Sequence, residues 1–351
     1  MTTHSTPVKR PIAITLGDPA GIGPEIIVKV FRDAPDVATG CFVVGNVGVI
    51  RRALRVIGED SLPLPVAVLE DMADLSGVPP NCVPVWPLGT LSELPTYGQL
   101  SAQAGQLAAE CVVWATQAAL RGDIRALVTA PLNKAALSLA GTPHDRFPGH
   151  TEMLQALSAE YAGVTVQDIP VRMMLANDEL RVVLVSIHLS LKAAIDAVTY
   201  DNVLQTIRIT NKALAPVLGR APRIAVAGLN PHAGELGLFG REEIEIIGPA
   251  IMAAAKEGIQ VSGPFAPDSV FMRARNSIHH PGEFDAVVAM YHDQGLIPVK
   301  YLGMEQGVNV TLGLPLVRTS PDHGTAFDIA GSGRADATSL IAAICMAKSL
   351  S

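Results

Sequence analysis

Short runs of consecutive apolar residues recur along the chain, separated by longer stretches in which apolar positions return every three or four residues. The first kind suits strands covered on both faces, and the second suits helices that bury one side. Pro11–Leu16, Cys41–Gly45, Pro65–Leu69, Ile124–Thr129, Ile224–Gly228 and Ala286–Met290 are read as buried strands. Helices are predicted at Val47–Ile57, about Leu100–Leu120, about Leu191–Leu218 and about Glu242–Glu257. This alternation predicts an α/β protein whose parallel strands carry helices on their faces. Asn177-Asp178, between Val171–Ala176 and Arg181–Ile187, predicts a hairpin. Ser76–Gly98 is punctuated by Pro and Gly and predicts a long irregular connection. A second Gly- and Pro-rich loop is expected ahead of Ala286.

A chain of 351 residues with 49% hydrophobic and 17% charged residues can form two domains with sizeable cores. A crossing into the second domain is placed at Ala130–Lys134. The expected division is residues 1–132 with 305–351, and residues 133–304. The net charge of -7 argues against nucleic acid or an anionic membrane as partner, so any anionic substrate needs locally concentrated positive charge. No apolar run is long enough to span a membrane, and the polar Met1–Arg10 segment, without a signal-peptide core, is read as a frayed tail. Cys41, Cys82, Cys111 and Cys345 are scattered in apolar contexts without CxxC spacing, as expected of reduced core thiols in a cytoplasmic protein.

The stretch from Asp285 to Arg318 concentrates chemistry. Its strand delivers Tyr291, His292 and Asp293 at the edge where open α/β sheets bind ligands. Beyond a turn expected at Gly295 come Lys300, Asn309 and Arg318, whose two cations and one amide suit a phosphate or carboxylate. His188 and His232 have the same setting as His292, each just past the carboxyl end of a buried strand. Strand ends joined by right-handed crossovers share an edge, so these imidazoles can converge on one divalent ion and leave positions open for chemistry. His4, His144, His279 and His280 lack a preceding strand and are read as surface residues. Gly149-His150-Thr151-Glu152 opens a helix, where free N–H groups favour an anion, although Thr151 could equally be the helix cap. Asp268 could be an acid/base carboxylate or an Asx-turn residue.

Resemblance adds to this reading. HGTAFDIAG at 323–331 resembles the adenosine-binding loop of isocitrate and isopropylmalate dehydrogenases, and GDPAGIGPE at 17–25 resembles their glycine-rich start. VTAPLNK, PGHTE, SIHLSL, GLNPHAGE, MYHDQGLIPVK and NVTLGLPLVRTS, taken with DHGTAFDIAG, resemble the 4-hydroxythreonine-4-phosphate dehydrogenase family over nearly the whole chain. The resemblance implies two α/β/α domains of the isopropylmalate dehydrogenase type around a central cleft. It also implies His188, His232 and His292 as metal ligands, with Zn²⁺ first and Mg²⁺ or Co²⁺ as alternatives. His150, Thr151, Lys300, Asn309 and Arg318 fall on substrate-binding positions. His323, Gly324, Thr325, Ala326 and Asp328 fall on the loop for NAD, with NADP as the alternative. A homodimer is implied, and so is oxidation at C3 of a phosphorylated 3-hydroxy acid followed by decarboxylation. The substrate that the resemblance implies is 4-phosphohydroxy-L-threonine, with 4-phospho-D-threonate or 4-phospho-D-erythronate as alternatives. A metal-dependent phosphatase would not need HGTAFDIAG, and a non-catalytic phosphoester-binding protein would not need an open metal site.

Overall fold

The computed structural model describes residues 10–58, 64–141, 143, 147 and 149–351. His4, His144 and nearly all of the expected N-terminal tail lie outside them. Two compact units divide the chain, one running to Pro170 and resuming over Leu314–Ser349, the other spanning Val171–Gly313. The crossing expected near residue 132 therefore comes at 170, and the return expected at 305 comes at 314. The helix His150–Ala162 explains the first shift, because it packs on Ala102–Arg121 of the first unit. No change of composition marks either boundary.

The first unit has six parallel strands: β1 (Ile12–Thr15), β2 (Cys41–Gly45), β3 (Val66–Val68), β4 (Val83–Pro87), β5 (Ala126–Thr129) and β12 (Val317–Pro321). Their order is β3-β4-β2-β1-β5-β12. Every residue of β1, β2 and β5 is buried, as their unbroken apolar runs require. Each fully buried Val or Ile contributes about 1.5–3 kcal/mol of transfer free energy. The connection expected at 76–98 contains β4, whose two prolines interrupt the apolar pattern that would have revealed it.

The second unit orders its strands as β11 (Val308–Leu312), β6 (Arg172–Ala176), β7 (Arg181–Leu184), β10 (Ala286–Ala289), β8 (Ile224–Ala227) and β9 (Val261–Phe265). The expected hairpin is present: β6 and β7 are antiparallel, and Asn177 Oδ1 accepts the N–H groups of Glu179 and Leu180 across the turn. Strand β11 also runs antiparallel to β6, so this sheet is mixed rather than purely parallel. The Gly- and Pro-rich loop contains β9, followed by a helix at Pro267–Ala274. The single helix expected over 191–218 is two, Leu191–Asp196 and Tyr200–Leu218, the second capped by the Thr199 side chain.

The turn expected at Gly295 is instead the inside of a helix, His292–Gly303. A Cβ at Gly295 would lie 2.6 Å from Leu184 Cδ2 and 2.7 Å from Val182 Cγ1, so glycine here lets the helix lie close on β7. Buried residues on both faces of β7, β8 and β10 form the core of this unit. The four thiols are free, but only Cys41 and Cys111 are buried as expected; Cys82 is half-buried and Cys345 is exposed.

Candidate active site

Strands β7, β10 and β8 are consecutive neighbours, and both pairings are parallel. Their carboxyl ends therefore share one edge, and His188, His232 and His292 all follow those ends within the second unit. The rings of His188 and His292 lie 5.8 Å apart between centroids, inclined at 42°. His292 Nδ1 pairs with Asp293 Oδ1 at 2.7 Å. His188 and His232 both have left-handed backbones, with φ of 47° and 54°. Such conformations cost a β-carbon residue about 1–2 kcal/mol and tend to occur where a side chain must be aimed.

His232 begins a left-handed turn that continues through Leu236, with φ values of 54°, 52°, 80°, 43° and 55°. Glu243 supports its entry. This side chain is 4% exposed, and its Oε1 accepts the N–H groups of Leu229 and Asn230, both at 2.7 Å. Glu243 opens a π-helical turn, Glu243–Ile247, where sequence periodicity predicts plain α-helix.

Three imidazole-bearing segments on adjacent strand ends are a donor set suited to a divalent ion. As the side chains stand, no group of three or more His, Cys, Asp or Glu among the described residues is gathered closely enough to hold one. The fit is thus carried by the shared edge and the close pair His188 and His292. Beside it opens a 920 Å³ cavity whose lining includes His232, Asp268, Tyr291, Asp293, Gln294 and Tyr301. Asp268 is in the first turn of its helix and faces this cavity rather than closing a loop turn. Lys300 stands in the last turn of the helix that His292 opens, and Asn309 lies on β11 opposite Leu175.

In the first unit, Arg318 on β12 is 3% exposed and donates to Thr129 Oγ1 on β5 through Nε at 3.1 Å and Nη2 at 2.7 Å. Burial pulls its guanidinium pKa down to about 10, and Glu152 opposes that shift. His150 is the first residue of its helix, whose N-cap is Gly149, so Thr151 is not the cap. Burial, then Arg318 and Lys134, hold the His150 imidazole well below its usual pKa. His150 Nε2 is buried without a hydrogen-bond partner among the described residues. A cation and an orphaned imidazole nitrogen at a helix start form a surrounding that an anion would complete.

The two motifs that resemble decarboxylating dehydrogenases meet in this unit. Ile22 N–H donates to Thr325 O at 3.0 Å, and a Cβ at Gly21 would stand 2.9 Å from the same oxygen. His323, Gly324 and Asp328 are exposed on this loop, and Ala326 has a φ of 41°. The loop also reaches a side that sequence reading missed: Tyr97 packs against Gly331, and the Arg52 guanidinium lies 3.9 Å above the Tyr97 ring. Nothing local connects residues 52, 97 and 331. Asp18, in the glycine-rich motif, is 1% exposed; its Oδ1 accepts Ala20 N–H while Oδ2 has no partner among the described residues.

The family model described as pyridoxal phosphate biosynthetic protein PdxA matches residues 38–347. The chain belongs to this family. Among its curated relatives, a 4-hydroxythreonine-4-phosphate dehydrogenase of Beijerinckia indica is 50% identical over 331 residues, covering 94% of this chain and 92% of the relative. A D-threonate 4-phosphate dehydrogenase of Salmonella typhimurium is 45% identical over 351 residues, covering 97% and 99%. The crystal structure of a 4-hydroxythreonine-4-phosphate dehydrogenase from Klebsiella pneumoniae matches with a TM-score of 0.84 at 41% identity, covering 97% and 99%. Family membership makes this protein an enzyme of the oxidoreductase class.

Proposed function

We propose that the protein oxidises 4-phosphohydroxy-L-threonine at C3 with NAD and releases CO₂, giving 3-amino-2-oxopropyl phosphate for pyridoxal 5'-phosphate synthesis. The observation that carries this reading is the placement of three histidines after adjacent parallel strands in a chain of this family. His188, His232 and His292 would hold a divalent ion, Zn²⁺ before Mg²⁺ or Co²⁺. When bound, the ion supplies Lewis acidity toward the C3 oxygen and the carboxylate side of the substrate, and NAD supplies the hydride acceptor.

The chain's own residues bind and orient. Arg318, held by Thr129, and Lys300 supply positive charge to a multiply charged anion, and Asn309 adds an amide. His150, held neutral by its surroundings, brings its unpartnered Nε2 to the substrate as a hydrogen-bonding group without adding a second charge. Thr151 adds a hydroxyl beside it. The loop of His323, Gly324, Thr325, Ala326 and Asp328 holds the adenosine half of NAD or NADP. We further propose a cytoplasmic homodimer without nucleic-acid or membrane partners; among the described residues no helix is long and apolar enough to cross a membrane.

D-Threonate 4-phosphate is the second reading, favoured by the 45% identical Salmonella relative named for it. It carries a C2 hydroxyl where the first substrate has an amine. The test is NADH formation by the metal-loaded enzyme on both acids and on 4-phospho-D-erythronate, with free phosphate measured in parallel. NADH from one of them supports a dehydrogenase and identifies its substrate. Phosphate release without NADH would make it a phosphatase.

A further inference from the structure

Three side chains join the three histidine-bearing segments. Gln294 bridges two of them: its Oε1 accepts Met290 N–H at 2.7 Å, and its Nε2 donates to Gly228 O at 2.8 Å. Met290 ends the run that leads to His292, and Gly228 ends the run that leads to His232. Ser186 Oγ, two residues before His188, donates to Met290 O at 3.0 Å. Glu243 then takes up the chain beyond Gly228, accepting the N–H groups of Leu229 and Asn230 with Oε1, while Oε2 accepts Asn230 Nδ2 at 3.0 Å.

These bonds run crosswise to the sheet, just past the point where ladder hydrogen bonding stops. Backbone groups there must be satisfied by other partners. Each of these side chains satisfies a backbone group on a segment other than its own, so it fixes where the strand-end loops stand relative to one another. Glu243 carries a further load, because the left-handed turn His232–Leu236 begins directly beyond the amides that it holds.

We propose that Gln294, Ser186 and Glu243 are positioning residues that hold the three histidine-bearing loops beside one another at the strand edge, and so set the affinity of the three-histidine site for its ion. This rests on the reading of His188, His232 and His292 as ligands. Residues that orient ligands without touching the ion commonly change metal affinity by about 10–100-fold when removed.

The test uses the full-length protein, stripped of metal and titrated with Zn²⁺ against a chelating dye. Gln294→Met keeps the side-chain volume and removes both bonds, and it is expected to weaken Zn²⁺ binding about 10–100-fold, with a fall of several degrees in the melting temperature of the metal-free protein but a folded chain at room temperature. Hydrogen exchange of the metal-free variant should quicken at 228–236 and 290–292 and not in the first unit. Glu243→Leu should weaken binding likewise, while Glu243→Gln, which keeps Oε1 as an acceptor, should recover most of the affinity. Ser186→Ala removes only one bond at a buried site and serves if a larger change prevents folding; it is expected to have a smaller effect in the same direction. Wild-type Zn²⁺ affinity in Gln294→Met, alongside lost affinity in His292→Ala, would overturn the positioning role and leave the ligand assignment standing. Undiminished affinity in His292→Ala would instead remove the ligand assignment itself.

Discussion

Arg318 and Thr129 are joined by two hydrogen bonds, from Nε at 3.1 Å and Nη2 at 2.7 Å to the same hydroxyl oxygen, on neighbouring parallel strands. A guanidinium that is 3% exposed is thereby held in one orientation. Charge-assisted contacts to phosphate or carboxylate contribute on the order of 1.5–3 kcal/mol, so Arg318→Ala should lower kcat/KM roughly tenfold to a hundredfold or more. Arg318→Lys should recover part of that, because lysine offers a point charge in place of a planar fork. Lys300→Ala should also fall. Steady-state kinetics on the phosphorylated acid decide this, and values within about twofold of wild type would assign the anion to other groups.

His150 should stay neutral where an ordinary histidine is half protonated. Burial is the main cause, with Arg318 and Lys134 adding to it. Because its folded pKa is lowered, its contribution to stability is present above the unfolded value of about 6.5 and is lost as pH falls below it. NMR titration of the imidazole should show no protonation step near pH 6.5, and Arg318→Ala should move the step upward without restoring it fully. A wild-type step near pH 6.5 would contradict the buried, cation-flanked setting.

Asp18 has the opposite sign. Burial raises its pKa from 3.8 to about 6, offset in part by the Ala20 N–H. Between those values the folded chain binds the proton more tightly than the unfolded chain, so stability falls as pH rises through the window. A shift of this size corresponds to on the order of 2–3 kcal/mol. Asp18→Asn should lack that fall. Denaturant midpoints of the metal-free proteins at about pH 4 and about pH 7 should converge at the lower pH and separate at the higher.

The 323–331 loop gives a more selective expectation. Asp328→Ala should raise the KM for NAD and leave binding of the phosphorylated acid nearly unchanged, since Asp328 is exposed on the loop that packs on the glycine-rich motif. Dinucleotide bound far from His323 and Asp328 in a crystal structure would contradict the assignment.

What is legible in the sequence is what local pattern encodes. Buried runs such as Ala286–Ala289 announce themselves by uninterrupted apolar residues, so the strand-end setting of three histidines can be read from the order of residues alone. Asn177 marks its hairpin through the Asx chemistry that the fold uses. Gly295 misleads because a glycine needed for close helix packing has the same letter as one needed for a turn. Strands β4 and β9 are hidden by prolines within them. Gln294, Glu243, Thr129 and Tyr97 are out of reach for another reason: each acts on a partner that the fold supplies from elsewhere in the chain.

One divalent ion held by His188, His232 and His292 is the feature on which the proposed chemistry depends. Equilibrium dialysis of Zn²⁺ against the wild type and the triple variant His188→Ala, His232→Ala, His292→Ala tests it most directly, with circular dichroism to establish that the fold is kept. The expected result is about one ion per chain in the wild type, with binding and NADH formation both lost in the variant. Full metal content and activity in the triple variant would contradict this assignment and put the ion elsewhere.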